Sequence, residues 1–480
     1  MRTKGLTFLS AAILLAAWEV LARHVGQPEL VPTIGRLAQA FMDAFLSAGF
    51  YQSLLATIGR GLLGLLISFI AALAIAPAMA RSANVEALLR PLIGAMRAVP
   101  VISFILLALI FLNPESIPLL IAFLTMFPLL TENLSKGIRQ LNPDLSEMAR
   151  LFRLTRRDRL AQVIYPQIKP YLFSGLASAA GFGWRAIIMG EVLSQCLWGI
   201  GSEMKRAQNY IEVPDLIVWT LVAILLSLAA DRLITRLAAC RIPIHFRRTA
   251  RPFPTCPSEP VEIHDLSYHY GVSHFSIRLE PATVYGLSAP SGTGKTTLLR
   301  LLCGTLRPTG GSIHPYPAAP IALVAQEPLL LSHLTALENV ALPLASFLDR
   351  PTAIRIAQEL LEEMELTGLE SHRPTELSYG QQQRVAIARA LAFPSPLLLM
   401  DEPFSGVDPI SVAEVQDIIR GLKAKNIGVL ITDHNVRETL SIVDRAYLIH
   451  DGTVLCEGTS EFLVNDEQSR KFYLGENFSM

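Results

Sequence analysis

The first half of the chain is a series of apolar runs about as long as a bilayer is thick, and that restricts it to helices. Backbone in hydrocarbon has no water to bond, so a spanning segment must satisfy its own peptide groups. About 20 helical residues are needed to cross. Such runs lie at roughly 6–22, 60–79, 97–113, 116–134, 172–194 and 216–238. The expected fold is therefore an all-α membrane domain of six transmembrane helices. The first run follows Arg2 and Lys4 and ends near Val20-Leu21-Ala22, so a cleaved signal peptide is the alternative for that run. Only Asn113-Pro114-Glu115 separates the third run from the fourth, which predicts a tight hairpin.

Charge orients these helices, because basic loops stay inside. Arg81, Arg90 and Arg97 mark one inner segment, residues 135–171 a second, and Arg241, Arg247, Arg248 and Arg251 a third. Both termini then lie in the cytoplasm. Residues 24–52 lie outside, with a short interfacial helix among them. Lys205 and Arg206 are basic exceptions on the outer side. Residues 1–250 carry 24 Lys and Arg against 14 Asp and Glu, whereas residues 251–480 carry 17 against 27. A basic membrane half thus precedes an acidic soluble half. The five cysteines are scattered, so neither a disulfide framework nor a zinc site is expected.

Charges within a span are costly and face protein or a water-filled path. Arg185 and Glu191 both fall in the fifth run. Six residues on a helix set them about 120° apart, so they are not expected to pair directly. Arg185 either meets an anionic substrate or snorkels or pairs with another helix.

Residues 241–260 are polar and rich in proline, which reads as a linker. A soluble domain over 261–480 follows the membrane domain of 1–240. It opens with β-like stretches and then Ala289-Pro-Ser-Gly-Thr-Gly-Lys-Thr-Thr297, followed by an apolar helix. Strand, glycine-rich turn and helix together form a phosphate-binding loop. Gly292 and Gly294 let the backbone amides around Ser291, Thr293 and Thr297 face phosphates, and the helix N-terminus adds favourable dipole charge. Lys295 reaches the β- and γ-phosphates, and Thr296 offers its hydroxyl to Mg²⁺. Ala289 stands where the pattern has its first glycine. An α/β P-loop ATPase with ATP and Mg²⁺ as cofactors is expected. Leu397-Leu-Leu-Met-Asp401-Glu402 reads as a buried strand ending in two carboxylates. The first is placed to hold the metal and the second to polarise the attacking water.

Leu377-Ser-Tyr-Gly-Gln381, followed by Gln382-Gln-Arg-Val-Ala-Ile-Ala-Arg-Ala, resembles the signature of ABC transporter ATPases. Tyr379 replaces the usual first glycine, and Gly380 remains. The resemblance implies that Ser378, Gly380 and Gln381 contact nucleotide and that Gln326 is the Q-loop residue sensing the metal. It also implies that Asp408 belongs to the D-loop, that His434 is the switch histidine and that Tyr270 stacks on adenine. Lys295, Glu402 and His434 would be the catalytic set, and Thr296, Gln326 and Asp401 would hold Mg²⁺.

Residues 141–170 resemble the coupling loop of type I ABC importers, with Glu147 and Ala149 in the motif and Pro166 and Pro170 closing it. That loop would form a short helix docking on the ATPase. The family's glycine falls at Arg153. Trp18-Glu19, Arg97-Ala-Val-Pro100 and Gly183-Trp184 with Glu191 are similar to permeases of the nitrate, sulfonate and taurine type. The segments after Asp401, including Tyr473-Leu-Gly-Glu-Asn-Phe478, instead resemble the ATPase of lipopolysaccharide export.

These resemblances imply ATP-driven import of a small, anionic solute across a bacterial inner membrane, with the ATPase domain in the cytoplasm. One set of motifs implies a homodimer. A separate periplasmic or lipid-anchored binding protein would deliver the solute, and no nucleic-acid partner is expected. The rival expectations are an exporter or lipid extractor, and a weak ATPase serving as a membrane sensor.

Overall fold

The computed structural model describes residues 2–27, 29–246, 260–269, 272–289, 293–314, 321–393, 395–406, 409–450 and 453–470. The chain divides into two compact units, one of residues 1–141 and 167–241 and the other of residues 142–166 and 242–480.

The first unit is helical. Its elements are α1 (Arg2–Val25), α2 (Ile34–Leu46), α3 (Ala48–Arg81), α4 (Ala83–Ala98), α5 (Val101–Phe111) and α6 (Ile117–Arg139). The second unit holds α7 (Pro143–Leu151), α8 (Arg156–Asp158) and a π-helical turn, Arg159–Ile164. Back in the first unit come most of α9 (Tyr165–Ser194), α10 (Ile200–Tyr210) and α11 (Val213–Ala239). Among the described residues, four helical runs are long and apolar enough to cross a membrane: Ala48–Arg81, Pro114–Arg139, Arg156–Ser194 and Val213–Ala239. Joining α4 to α5 makes five. α1 covers the first expected run and is not among them.

The third expected run is corrected. Residues 97–113 are not one helix. The chain bends by 95° between α4 and α5. Pro100 is the N-cap of α5. Proline lacks an amide donor and disfavours helix in the residue before it, so the break falls at Val99-Pro100. α5 has 11 residues, about 16 Å of rise, too short to cross alone. The inner segment marked by Arg81, Arg90 and Arg97 is helical over Ala83–Ala98. Arg97 pairs with Glu132 of α6, and Arg139 pairs with Glu86 of α4 at 2.7 Å.

Close backbone approach builds this unit, as small residues permit in a membrane. A Cβ placed on Gly64 of α3 would lie 2.6 Å from the Ala122 Cβ of α6. One placed on Gly61 would lie 2.3 Å from the Trp184 ring of α9. Polar groups are paired where they are buried. Glu191 is fully buried and accepts from Thr57 Oγ1 at 2.9 Å, Arg60 Nη1 at 2.8 Å and the Gly201 amide at 3.0 Å. Arg60 also donates to the Trp198 carbonyl at 2.7 Å and pairs with Glu115. As expected, Arg185 is not the partner of Glu191. It lies on the exposed face of α9, beside exposed Phe182 and Met189.

The second unit is α/β. A six-stranded sheet has the order β5-β6-β7-β3-β8-β9 and a three-stranded sheet the order β2-β1-β4. The strands are β1 (Val261–Tyr268), β2 (Val272–Leu279), β3 (Val284–Ser288), β4 (Gly310–His314) and β5 (Ala322–Val324), then β6 (Leu397–Asp401), β7 (Gly428–Thr432), β8 (Arg445–His450) and β9 (Thr453–Gly458). β5, β6, β7, β3 and β8 run parallel, and β9 closes the sheet antiparallel. β3, β6 and β7 are buried at every residue, as continuous apolar strands of a parallel sheet should be. The helices are α12 (Lys295–Leu302), α13 (Ala336–Leu344), α14 (Arg350–Glu363), α15 (Tyr379–Leu391), α16 (Pro409–Ala424), α17 (Val436–Leu440), α18 (Ser460–Asn465) and α19 (Glu467–Ser469). Parallel strands place their functional groups at their C-terminal ends, so the loops after β3, β6 and β7 converge there.

Candidate nucleotide site

The loop after β3 carries the phosphate-binding pattern. Ala289 is fully buried and is not among the residues with positive φ, so its methyl sits there without backbone strain. Gly294 has φ of +93°, which a side chain would oppose, and it caps α12. Lys295 is buried, and its ammonium donates to the Ala289 carbonyl at 2.7 Å. Burial holds its pKa below the ordinary lysine value, while Glu402, Asp401 and Asp433 pull it back up. An anion entering here would meet a cation that is already partly desolvated.

Thr296 Oγ1 donates to Asp401 Oδ2 at 2.9 Å, and Thr432 Oγ1 donates to Asp401 Oδ1 at 2.7 Å. Two oxygens of different residues thus face one point at the end of β6. Among the described residues no cluster of three or more His, Cys, Asp or Glu could hold a metal. A hydroxyl and one carboxylate suit a hard cation that takes its remaining ligands from phosphate and water.

Glu402 follows Asp401 with φ of +48°, a strained left-handed backbone for a residue with a Cβ. Its amide donates to the Thr432 carbonyl at 2.6 Å, which turns the side chain out of the strand. Gln326 Nε2 donates to Glu402 Oε2 at 3.0 Å, and His434 Nε2 meets Glu402 Oε1 at 2.6 Å. Both carboxylate oxygens are therefore engaged. Asp433 is the residue that sequence reading missed. It accepts from the Phe404 amide at 3.0 Å and from the Asn435 amide at 2.7 Å, tying the loop after β6 to the loop after β7. Burial raises its pKa. It stood one residue before His434, in a position that local pattern does not distinguish.

The structure therefore gathers Lys295, Thr296, Gln326, Asp401, Glu402 and His434, with Thr293, Gly294 and Thr297 at the same helix start. It does not add Ser378, Gly380 or Gln381 to that group within one chain. Ser378 and Gln381 instead form a reciprocal capping box at the start of α15, at 3.2 and 3.0 Å, and Gly380 is buried. Tyr270, Ser291, Gly292, Asp408 and residues 473–478 lie outside the described residues.

A second feature belongs to the same unit. Asn142 caps α7 through its side-chain oxygen, and Pro143 occupies the first turn. One face of α7 and the turn after it buries Met148, Ala149, Phe152 and Val163 against Leu331, Leu334, Leu342, Phe347 and Phe393. Phe152 stacks on Phe393 at 6.4 Å and lies 5.1 Å from the Arg389 guanidinium. Arg389 donates to the Pro328 and Leu329 carbonyls, each at 2.8 Å, and burial pushes its pKa down to about 9. Arg300, one turn after Thr296, reaches Glu147 at 3.3 Å and Asp144 at 3.6 Å. Arg153 has φ of +49° at the position where the importer loop has glycine, which supplies the conformational reason for that glycine. A cavity of about 260 Å³ has Thr296, Gln326 and Asp401 on one wall and Asp144, Glu147 and Phe152 on another.

Residues 272–405 match the family model described as ABC transporter, and residues 64–239 match that of the binding-protein-dependent transport system inner membrane component. The chain is similar to the lipopolysaccharide export system ATP-binding protein LptB of Acidithiobacillus ferridurans. Identity is 41% over 222 residues, covering 44% of this chain and 92% of that protein. The chain belongs to the ABC transporter family. This ABC transporter joins a membrane permease and an ATP-binding cassette in one polypeptide. It is also 39% identical over 234 residues to a probable ABC transporter ATP-binding protein of Azorhizobium caulinodans, covering 45% of this chain and 83% of that one. Among solved structures, a dimeric post-hydrolysis ATP-binding cassette, MJ0796 with ADP and Pi, aligns at 27% identity over 42% of this chain and 98% of its own, with a TM-score of 0.38. The cassette binds ATP and hydrolyses it to drive transport; the permease is membrane-embedded and the cassette is cytoplasmic.

Proposed function

We propose that this ABC transporter imports a small anionic solute across a bacterial inner membrane as a homodimer fed by a separate binding protein. The observation that carries the direction is the permease half, because it is of the binding-protein-dependent type and substrate passes through it. Arg185 supports an anionic cargo. It is an exposed cation within a span, whereas the partly buried Arg60 is bound by Glu191 and Glu115. An uncompensated charge at membrane depth costs about 2.5–3.5 kcal/mol unless it faces protein or water. Two copies of Arg185 about a two-fold axis would line such a path.

In this reading residues 1–240 are the permease, 241–260 the linker and 261–480 the cassette. Tyr270 stacks on adenine. Ser291, Gly292, Thr293, Gly294 and Thr297 cradle the phosphates with Lys295. Thr296, Asp401 and Gln326 would hold Mg²⁺, which would neutralise phosphate charge when bound. Ser378, Gly380 and Gln381 of the second copy close over the γ-phosphate, with Asp408 beside them. Glu402 accepts the proton of the attacking water as the bond from γ-phosphorus to the bridging oxygen breaks, leaving ADP and phosphate, and His434 steadies the γ-phosphate. Glu402 can do this only after Gln326 and His434 release it, so nucleotide binding has to redirect both.

A second reading has support of its own. The cassette's likeness to a lipopolysaccharide-export ATPase favours export or lipid extraction. ATPase activity in lipid nanodiscs separates the two, measured with and without the binding protein encoded nearest this gene and across a panel of small anions. Stimulation that needs both binding protein and one anion supports import. Stimulation by lipid alone supports extraction and overturns import.

A further inference from the structure

The signature segment holds a tyrosine where its family has glycine, and the tyrosine is bonded. Tyr379 is the first residue of α15, and its hydroxyl donates to the Gln326 carbonyl at 2.8 Å. Its backbone is not left-handed, so nothing in the conformation asks for glycine. Tyr379 is 38% exposed, so it is not packed in a core. Gln326 thus carries two links at once. Its carbonyl takes the Tyr379 hydroxyl, and its side-chain amide goes to Glu402.

The same helix grips the same loop a second time. Arg389, about 15 Å further along α15, donates to the Pro328 and Leu329 carbonyls. Three carbonyls within residues 326–329 are therefore bound by side chains of one helix. A loop held at three points moves with the element that holds it. Arg389 grips the end near α7, where Phe152 lies over its guanidinium. Tyr379 grips the end near Glu402.

We propose that Tyr379 is a positioning residue that couples the two ATP sites of the dimer. The inference rests on the homodimer reading, in which Ser378 and Gly380 serve the ATP bound to the other copy while Gln326 serves the chain's own. When nucleotide draws Gln326 off Glu402, the Tyr379 bond carries that displacement to the adjacent Ser378 and Gly380. Filling one site then presents the signature segment to the other. A glycine at position 379 has no group to make this link.

The test uses the full-length protein in nanodiscs, with its dimer verified by mass, and ATP as the varied ligand. The wild type is expected to show an ATPase Hill coefficient well above 1. Tyr379→Phe removes one hydroxyl and keeps the ring. It is expected to bring the coefficient close to 1, with a maximal rate lowered less than about tenfold, the range of one neutral hydrogen bond. Tyr379→Gly is expected to do the same, and an unchanged melting temperature for Tyr379→Phe shows that the fold is intact. A shifted half-saturation with the coefficient unchanged assigns the bond to one site only and overturns the proposal. So does a coefficient near 1 in a verified wild-type dimer. A single copy per nanodisc that hydrolyses ATP removes the homodimer reading itself, which the mass measurement distinguishes from failure of the Tyr379 link.

Discussion

Glu191 in the permease and Glu402 in the cassette are both carboxylates with an ion partner, and they are held in opposite ways. Glu191 has no exposure and accepts from Thr57 and Arg60 of α3 and from the Gly201 amide of α10. Its backbone is an ordinary helix. Glu402 stands on a left-handed backbone beside a half-exposed histidine, and its partners are two side chains able to swing away. The first arrangement fixes helices to one another and has no second state to enter. The second stores strain and its carboxylate has contacts only to side chains, as a group that must act requires. Burial with full satisfaction marks a brace, and engagement by mobile partners marks a working part.

Charge-neutral substitution at the two positions breaks this comparison most directly. Glu402→Gln is expected to lower ATP hydrolysis by about 10²–10⁴-fold, the contribution of a positioned base, while ATP binding survives. Phosphate release and nucleotide binding measured together check it, and near-normal turnover removes Glu402 from the role. Glu191→Gln is expected to destabilise the permease by about 1–3 kcal/mol, because a buried neutral amide replaces the carboxylate that accepts from Arg60, Thr57 and the Gly201 amide, while Arg60 keeps Glu115. A thermal scan in detergent reads this. An unchanged melting temperature would make Glu191 a free carboxylate and erase the contrast.

Two further effects sharpen it at α7 and its contacts. Phe152→Ala deletes a buried ring from between Phe393 and Arg389 and is expected to cost about 3 kcal/mol, with ATP hydrolysis no longer tied to transport. Parallel ATPase and uptake assays read the uncoupling. Arg300→Gln removes two partly exposed ion pairs and is expected to change stability by less than about 1 kcal/mol. A loss of several kcal/mol would place Arg300 among the braces.

The cassette was more legible in sequence than the permease for a physical reason. The phosphate loop and the Asp401-Glu402 pair are local devices in which strand, turn and helix succeed one another within a few residues. Their chemistry is written in consecutive letters. The pairs that organise the rest are distant in sequence. Arg60 reaches Glu191 across 131 positions, and Tyr379 reaches Gln326 across 53. No periodicity announces such partners. The break at Pro100 was visible as a residue and not as a 95° bend, because apolar composition continues through it. Ser378 and Gln381 were read as nucleotide contacts, and within one chain they satisfy each other, a capping pattern that the motif also encodes.

Solute movement in sealed vesicles tests the central claim most directly. The protein would be reconstituted with ATP trapped inside, and labelled anion and binding protein would be supplied outside. The account predicts accumulation of anion in the lumen that requires the binding protein and disappears in Glu402→Gln. ATP-dependent loss of lipid or anion from the vesicle, indifferent to the binding protein, would contradict it.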